Sequence, residues 1–274
     1  MESLVSTDWL ADHLEEVTVV DCTWFMPSSG RSGRDEYLTQ HIPGARFLDI
    51  DEVSDRSNPA PHMLPSAAEF ASAMEALGVG SDDRIVVYDN SPTRTASRGW
   101  FTLRHFGARN VAVLDGGMQK WLAEGRPTES GNVAPRAAGF TAAERADVVT
   151  KEQLVEGAGC AIADARGMGR FEATEPEPRE GLAGGHIPGS RNLPFGQLYR
   201  EDGTFKSPED LRAEFAAAGL DPSKPFAASC GSGVTAAILI YAAHLIGGDG
   251  HKLYDGSWSE WGADPATPKA VGPA

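Results

Sequence analysis

Cys230 stands between an apolar run, Phe226-Ala-Ala-Ser, and a second apolar run that begins at Ala236, with Gly231-Ser-Gly-Val-Thr in between. This spacing predicts a strand, a tight Gly-rich turn and a helix, with the cysteine near the helix N-terminus. Unpaired N–H groups and the positive end of the helix dipole favour an anion there. The thiolate is an anion and is also the nucleophilic form of cysteine, so Cys230 is read as the nucleophile. Gly231 and Gly233 let the backbone curl closely around whatever the sulfur carries. The competing reading is a buried core cysteine, the common fate of a free thiol, and the strand–turn–helix frame argues against it.

The elements that must position this turn occur twice. His41-Ile-Pro-Gly-Ala-Arg returns as His186-Ile-Pro-Gly-Ser-Arg, and Leu114-Asp-Gly-Gly with Trp121 returns as Tyr254-Asp-Gly-Ser with Trp261. Val19-Val-Asp-Cys pairs with Ala161-Ile-Ala-Asp, and Ile85-Val-Val-Tyr-Asp with Phe226-Ala-Ala-Ser-Cys. Blocks recurring in one order at near-constant offset indicate a tandem duplication, not a solenoid, whose periods are ~20–50 residues. In the first half, Val17–Asp21, Ala45–Leu48, Arg84–Tyr88 and Asn110–Leu114 read as strands, and Ala67–Leu77 and Arg94–Phe106 as helices. Such alternation predicts an α/β fold: in each half a mainly parallel sheet flanked by helices, with ligands at the carboxyl ends of the strands, where Cys230 falls. The expected organisation is a non-catalytic domain over residues 1–126, a linker over 127–146 and a catalytic domain over 147–274. Phe171–Gly185 is expected to be a long ordered loop, and the tail from Pro265 to be extended and mobile. Asp89 takes the place of Cys230 in the first half, and a carboxylate cannot act as a thiol nucleophile. Chemistry therefore belongs to the second half.

The net charge of −15 argues against nucleic acid and anionic membrane as partners. It also means that an anionic substrate requires locally concentrated arginine. No run approaches the ~20 apolar residues of a membrane span, and the N-terminus lacks the layout of a secretory signal. Three scattered cysteines make neither a disulfide framework nor a metal site. Cys22 and Cys160 read as small core residues. The expected setting is a reducing cytoplasm.

The tandem layout, the repeated His-Ile-Pro-Gly, the Asp-Gly-Gly…Trp block and the six-residue cysteine loop resemble the rhodanese-type sulfurtransferases, from about Leu4 to Trp261. The resemblance implies two tandem rhodanese-like domains and a persulfide carried on Cys230, with the N–H groups of Gly231, Ser232, Gly233, Val234 and Thr235 around its outer sulfur. It implies no metal or organic cofactor. Cys-Gly-Ser-Gly-Val-Thr resembles the loop of mercaptopyruvate-using members; thiosulfate-using members carry Arg and Lys where this chain has Gly231 and Ser232. Arg170 and Arg179 match the pair that holds the donor carboxylate, a task suited to the planar guanidinium fork. The competing reading for either arginine is neutralisation by Glu172, Glu175 or Glu177. Ser232 matches a polar assistant thought to work with a histidine and an aspartate. His41 is matched to the histidine, and the aspartate position falls at Ser32, so the relay is incomplete. The competing reading of His41 is structural, because His186 fills the same block in the other half.

The implied partners are a small-molecule sulfur donor and a thiol acceptor such as thioredoxin, or cyanide. A cysteine phosphatase would need arginine six residues after the nucleophile, and that residue is Ala236. Thiosulfate transfer is the remaining alternative.

Overall fold

A computed structural model describes residues 1–157 and 159–273. The chain forms two compact units, one of residues 1–55, 64–145 and 201–205, the other of 56–63, 146–200 and from 206 onward. The stretch expected as a linker therefore packs with the first unit up to Arg145. Phe140 is buried edge-on against Phe70, and Arg136 pairs with Asp83. The short segment Arg56–Met63 belongs to the second unit although it lies early in the chain.

In the first unit the strands are β1 (Leu4–Val5), β2 (Thr18–Asp21), β3 (Arg46–Phe47), β4 (Arg84–Tyr88) and β5 (Asn110–Leu114). They pair in the order β1-β5-β4-β2-β3, and every pairing is parallel. The central β4, Arg-Ile-Val-Val-Tyr, is apolar on successive residues because helices cover both faces of a parallel sheet. The helix Ala67–Leu77 has the ends its sequence signals: a capping box of Ser66 with Glu69, and Gly78 in the left-handed region at φ +74°.

The second unit repeats the plan with β6 (Val148–Val149), β7 (Ala161–Asp164), β8 (Arg191–Asn192), β9 (Phe226–Ser229) and β10 (Lys252–Tyr254), in the order β6-β10-β9-β7-β8 and all parallel. The helix Ala236–Leu245 that follows β9 is apolar around its circumference and buried over eight of its residues, as a central helix must be. Phe171–Gly185 is an ordered succession of turns after the short helix Met168–Phe171.

The tail departs from the sequence expectation. Trp261 Nε1 donates to Pro268 O at 2.8 Å, Ala270 forms an antiparallel bridge with His186, and Gly272 N donates to Glu172 O at 3.1 Å. Three separate attachments hold the segment to its unit, so it is not a loose end. No helix among the described residues is long and apolar enough to cross a membrane.

The ends of β2 and β4 in the first unit bury two carboxyl groups. Asp21 takes the N–H of Thr23 at 2.8 Å, and Asp89 takes those of Ser91 and Ala96, each at 2.8 Å. Burial raises the pKa of both, that of Asp21 to about 7 despite its hydrogen bonds. Burial beside these acids also pushes the Cys22 thiol up, and its sulfur packs where a Cβ on Gly99 would otherwise stand. Cys22 is thus a neutral core residue, whereas Cys160 is only half-buried ahead of β7.

The Asp21 shift fixes a sign. Its folded pKa lies above the ordinary value of 3.8, so between the two the native state holds a proton that the unfolded chain releases. This contribution to stability is present below the lower value and is lost as pH rises toward about 7. Asp21→Asn is expected to gain melting temperature over the parent protein by a margin that widens from about pH 5 to about pH 8. Thermal melts at the two pH values check this, and a constant margin would refute it.

Candidate active site

β9 ends at Ser229, and Cys230 opens a turn that delivers the chain to the helix at Ala236, as the residue pattern requires. Cys230 and Ser232 are both buried, and Gly233 takes φ +77°, a conformation that a side chain would strain. The segment Asp255–Ser259, which opens the helix Ser257–Trp261, clamps this loop. Trp258 N donates to Cys230 O at 3.0 Å, while Ser259 donates to Gly231 O from its backbone at 2.8 Å and its hydroxyl at 2.6 Å. The Ser257 hydroxyl accepts from Cys230 N at 3.0 Å and from Gly233 N at 3.1 Å, and donates to Tyr254 O at 2.8 Å. Among the described residues, no protein acceptor takes the N–H groups of Gly231, Ser232, Val234 or Thr235. Those four donors suit an anion carried on the sulfur.

Both arginines singled out in the sequence converge on this loop. A Cβ placed on Gly231 would lie 3.1 Å from Arg170 Nη2 and 3.8 Å from Arg179 Nη1. Glycine at 231 is what permits that approach. Arg170 is held from behind by Glu177, whose Oε2 accepts from its Nη2 at 2.5 Å and its Nε at 3.2 Å. The other oxygen of Glu177 accepts from Arg166 Nη1 at 2.7 Å. Arg166 is buried at the end of β7, forks onto Asp164, donates to Gly185 O and lies 4.4 Å over the Trp258 ring. Burial opposes the Arg166 charge, but Asp164 and Glu177 outweigh it and hold the pKa above its ordinary value. Of the three glutamates weighed against Arg170, Glu177 is the one that pairs with it in this network. It does so while leaving the guanidinium at the loop.

His41 lies in the first unit, fully buried, with its ring stacked 4.2 Å from Tyr37 and Nδ1 2.7 Å from Tyr37 O. A carbonyl only accepts, so Nδ1 carries the proton and the ring caps the helix Gly33–Thr39. His186 does the same work in the second unit, stacked on Phe171 at 3.7 Å with Nδ1 2.9 Å from Phe171 O. Ser32, at the expected aspartate position, caps the helix Gly33–Thr39 by accepting from Asp35 N.

The histidine at the cysteine loop is His62, which the sequence reading missed. Its Nδ1 lies 2.9 Å from Ser232 Oγ, both side chains are buried, and its φ of +62° is rare for a residue with a side chain. A signal was available: His41 has a twin in the other half, whereas no histidine stands at the matching distance before Ser207 as His62 stands before Ser66.

The matching loop of the first unit closes on itself. The Asp89 carboxylate fills the turn and takes the N–H of Ala96 at the start of the helix Ala96–His105. That loop is also one residue longer, seven steps from Asp89 to Ala96 against six from Cys230 to Ala236. Among the described residues no group of three or more His, Cys, Asp or Glu is placed to hold a metal ion.

A rhodanese-like domain model matches residues 6–124 and 149–264. The chain is 42% identical to a 3-mercaptopyruvate sulfurtransferase of Homo sapiens over 94% of its own length and 91% of that protein. It is 43% identical to a 3-mercaptopyruvate sulfurtransferase of Escherichia coli (strain K12), over 94% of each chain. It is also 43% identical to a thiosulfate sulfurtransferase of Bos taurus, over 94% of this chain and 91% of that one. Among solved structures, SseA from Escherichia coli matches with a TM-score of 0.86 at 39% identity, over 94% of this chain and 99% of the other.

The Glu177 pairing sets an energetic expectation. Glu177→Ala strips the shared partner from two guanidinium groups, one of them fully buried. A stability loss of about 3–5 kcal/mol is expected in denaturant titration. A loss below about 1 kcal/mol would mean that the ion network does not hold the site together.

Proposed function

The chain belongs to the rhodanese family of sulfurtransferases, and on that premise we propose that it moves sulfane sulfur from 3-mercaptopyruvate through a Cys230 persulfide to a thiol acceptor. One observation carries the choice of donor: two guanidinium groups, Arg170 and Arg179, meet over a loop position with no side chain, next to the nucleophile. That arrangement suits a small carboxylate whose own thiol must reach Cys230. A side chain at 231, such as the arginine of the thiosulfate-type loop, would press on the Arg170 guanidinium and add a like charge beside it. The neutral loop and the paired arginines are therefore one design.

In the first half-reaction the Cys230 thiolate attacks the donor sulfur. The Sγ–S bond forms, the donor C–S bond breaks, and its electron pair passes to the methylene carbon, giving the enolate of pyruvate. Arg170 and Arg179 hold the donor carboxylate and fix the line of attack. Ser232, bonded to His62, supplies a hydroxyl that can donate a hydrogen bond to the enolate oxygen as charge develops, with His62 orienting it. The methylene carbon takes a proton from water to complete pyruvate, and the donor's thiol proton, lost as the outer sulfur ionises, balances it. The outer sulfur, left as an anion, rests against the N–H groups of Gly231, Ser232, Val234 and Thr235. In the second half-reaction a thiol such as that of reduced thioredoxin, or cyanide, attacks the outer sulfur and frees the Cys230 thiolate. Two half-reactions through a covalent carrier give ping-pong kinetics. The chemistry uses no cofactor and suits a reducing compartment such as the cytoplasm.

Thiosulfate is the second reading, because a relative of equal identity is a thiosulfate sulfurtransferase. Steady-state rates with each donor and cyanide as acceptor separate the two. Mercaptopyruvate is expected to give the higher kcat/KM, and a preference for thiosulfate would overturn the donor assignment. Cys230→Ser is expected to abolish transfer from both donors without loss of fold; residual turnover would point to another nucleophile. Arg179→Ala is expected to raise the KM for mercaptopyruvate by about tenfold or more, in line with losing a charged hydrogen bond, and that for thiosulfate by less. Equal effects on the two donors would remove Arg179 from the carboxylate site.

A further inference from the structure

We propose that Ser257 is a positioning residue for sulfur transfer, whose buried hydroxyl holds the Cys230 loop in its reactive shape. The inference rests on Cys230 as the sulfur carrier, whichever donor supplies the sulfur.

The first observation is conformational. Ser257 is fully buried and sits at φ +48°, in the left-handed region where a side chain costs stability relative to glycine. The duplicated half shows that the turn does not require a serine. There the equivalent residue is Gly117, at φ +57°, and Met118 N donates to Asp89 O at 2.9 Å just as Trp258 N donates to Cys230 O at 3.0 Å. The backbone link is the same in both halves, so the strained serine serves something other than the turn.

The second observation is what the hydroxyl does. It accepts from Cys230 N and Gly233 N and donates to Tyr254 O, which uses its full hydrogen-bonding capacity. In the first unit the loop N–H groups of Ser91 and Ala96 are taken by the Asp89 carboxylate, the very side chain that replaces the cysteine. Cysteine has no pair of carboxylate oxygens with which to span the loop in that way. Ser257 supplies the missing acceptor from outside the loop. It thereby divides the loop's donors: Cys230 N and Gly233 N serve the fold, and those of Gly231, Ser232, Val234 and Thr235 are left for the sulfur anion.

Ser257→Gly and Ser257→Ala in the full chain test this. Ser257→Gly removes the hydroxyl and the strain together, two changes of opposite sign for stability, so its melting temperature is expected to stay close to that of the parent protein. Its kcat is expected to fall by about tenfold or more, with KM for the donor within about twofold, since the arginine pair is untouched. The pH profile of Cys230 alkylation by iodoacetamide is expected to move to higher pH, because loosened N–H groups hold the thiolate less well. Ser257→Ala keeps the strain without the hydroxyl and is expected to lose both melting temperature and kcat. A Ser257→Gly enzyme with kcat within about twofold of the parent, or with an unmoved alkylation profile, would overturn the proposal. A collapse of its melting temperature would do so too, because the hydroxyl would then be a requirement of the fold. The kcat loss is read on mercaptopyruvate and on thiosulfate, so a failure of the donor assignment leaves this result legible.

Discussion

A guanidinium can be packed against a buried cysteine loop only if its charge is held from behind. In the second unit this is done by a chain of alternating charges, Asp164–Arg166–Glu177–Arg170, most of it out of contact with water. Each member is costly to bury alone, and the pairing makes the set tolerable. Because Arg166 forks onto Asp164 at the end of β7 and lies over Trp258, the chain ties the sheet to the turn that clamps Cys230. Cys230, its clamp and one of the nearby arginines are thus fixed by one electrostatic framework, and the position without a side chain at 231 is where that framework meets the cysteine loop.

The two halves show which parts of the domain are scaffold and which are chemistry. Sheet order, strand direction and the buried histidines His41 and His186 are common to both. Differences gather at the carboxyl ends of the strands. Asp164 has Arg166 two residues on, whereas Asp21 is bonded by the neutral groups of Thr23 and Tyr88, and burial leaves it an acid of unusually high pKa. Where the second half presents a thiol, the first presents a carboxylate already bonded to its own loop. One architecture has been tuned toward binding an outside anion and, in its copy, toward satisfying itself.

Much of this was legible in the sequence because the deciding interactions are local. The helix Ala67–Leu77 is bounded by Ser66, Glu69 and Gly78, all within one turn of its ends. The cysteine turn is likewise written in consecutive residues. His62 was not legible in the same way: it meets Ser232 only because the segment Arg56–Met63 packs with the second unit, 170 residues away in sequence. His41 stands in a recognisable block, whereas His62 has no such block around it. The tail was misjudged for a related reason. Its composition is that of a loose end, but its attachments to Trp261, His186 and Glu172 are made by partners that no local pattern announces.

The unequal length of the two loops has a historical consequence. Had the first half differed from the second only by aspartate for cysteine, a single codon change could restore a second nucleophile. With seven steps to the helix instead of six, and with its N–H groups already satisfied by Asp89, the loop would need a deletion, a cysteine and a new hydroxyl donor-acceptor at the position of Gly117. None of these changes is useful without the others. On the proposed function, a second sulfur-carrying loop would require all of them together, so no single substitution makes the two halves equivalent.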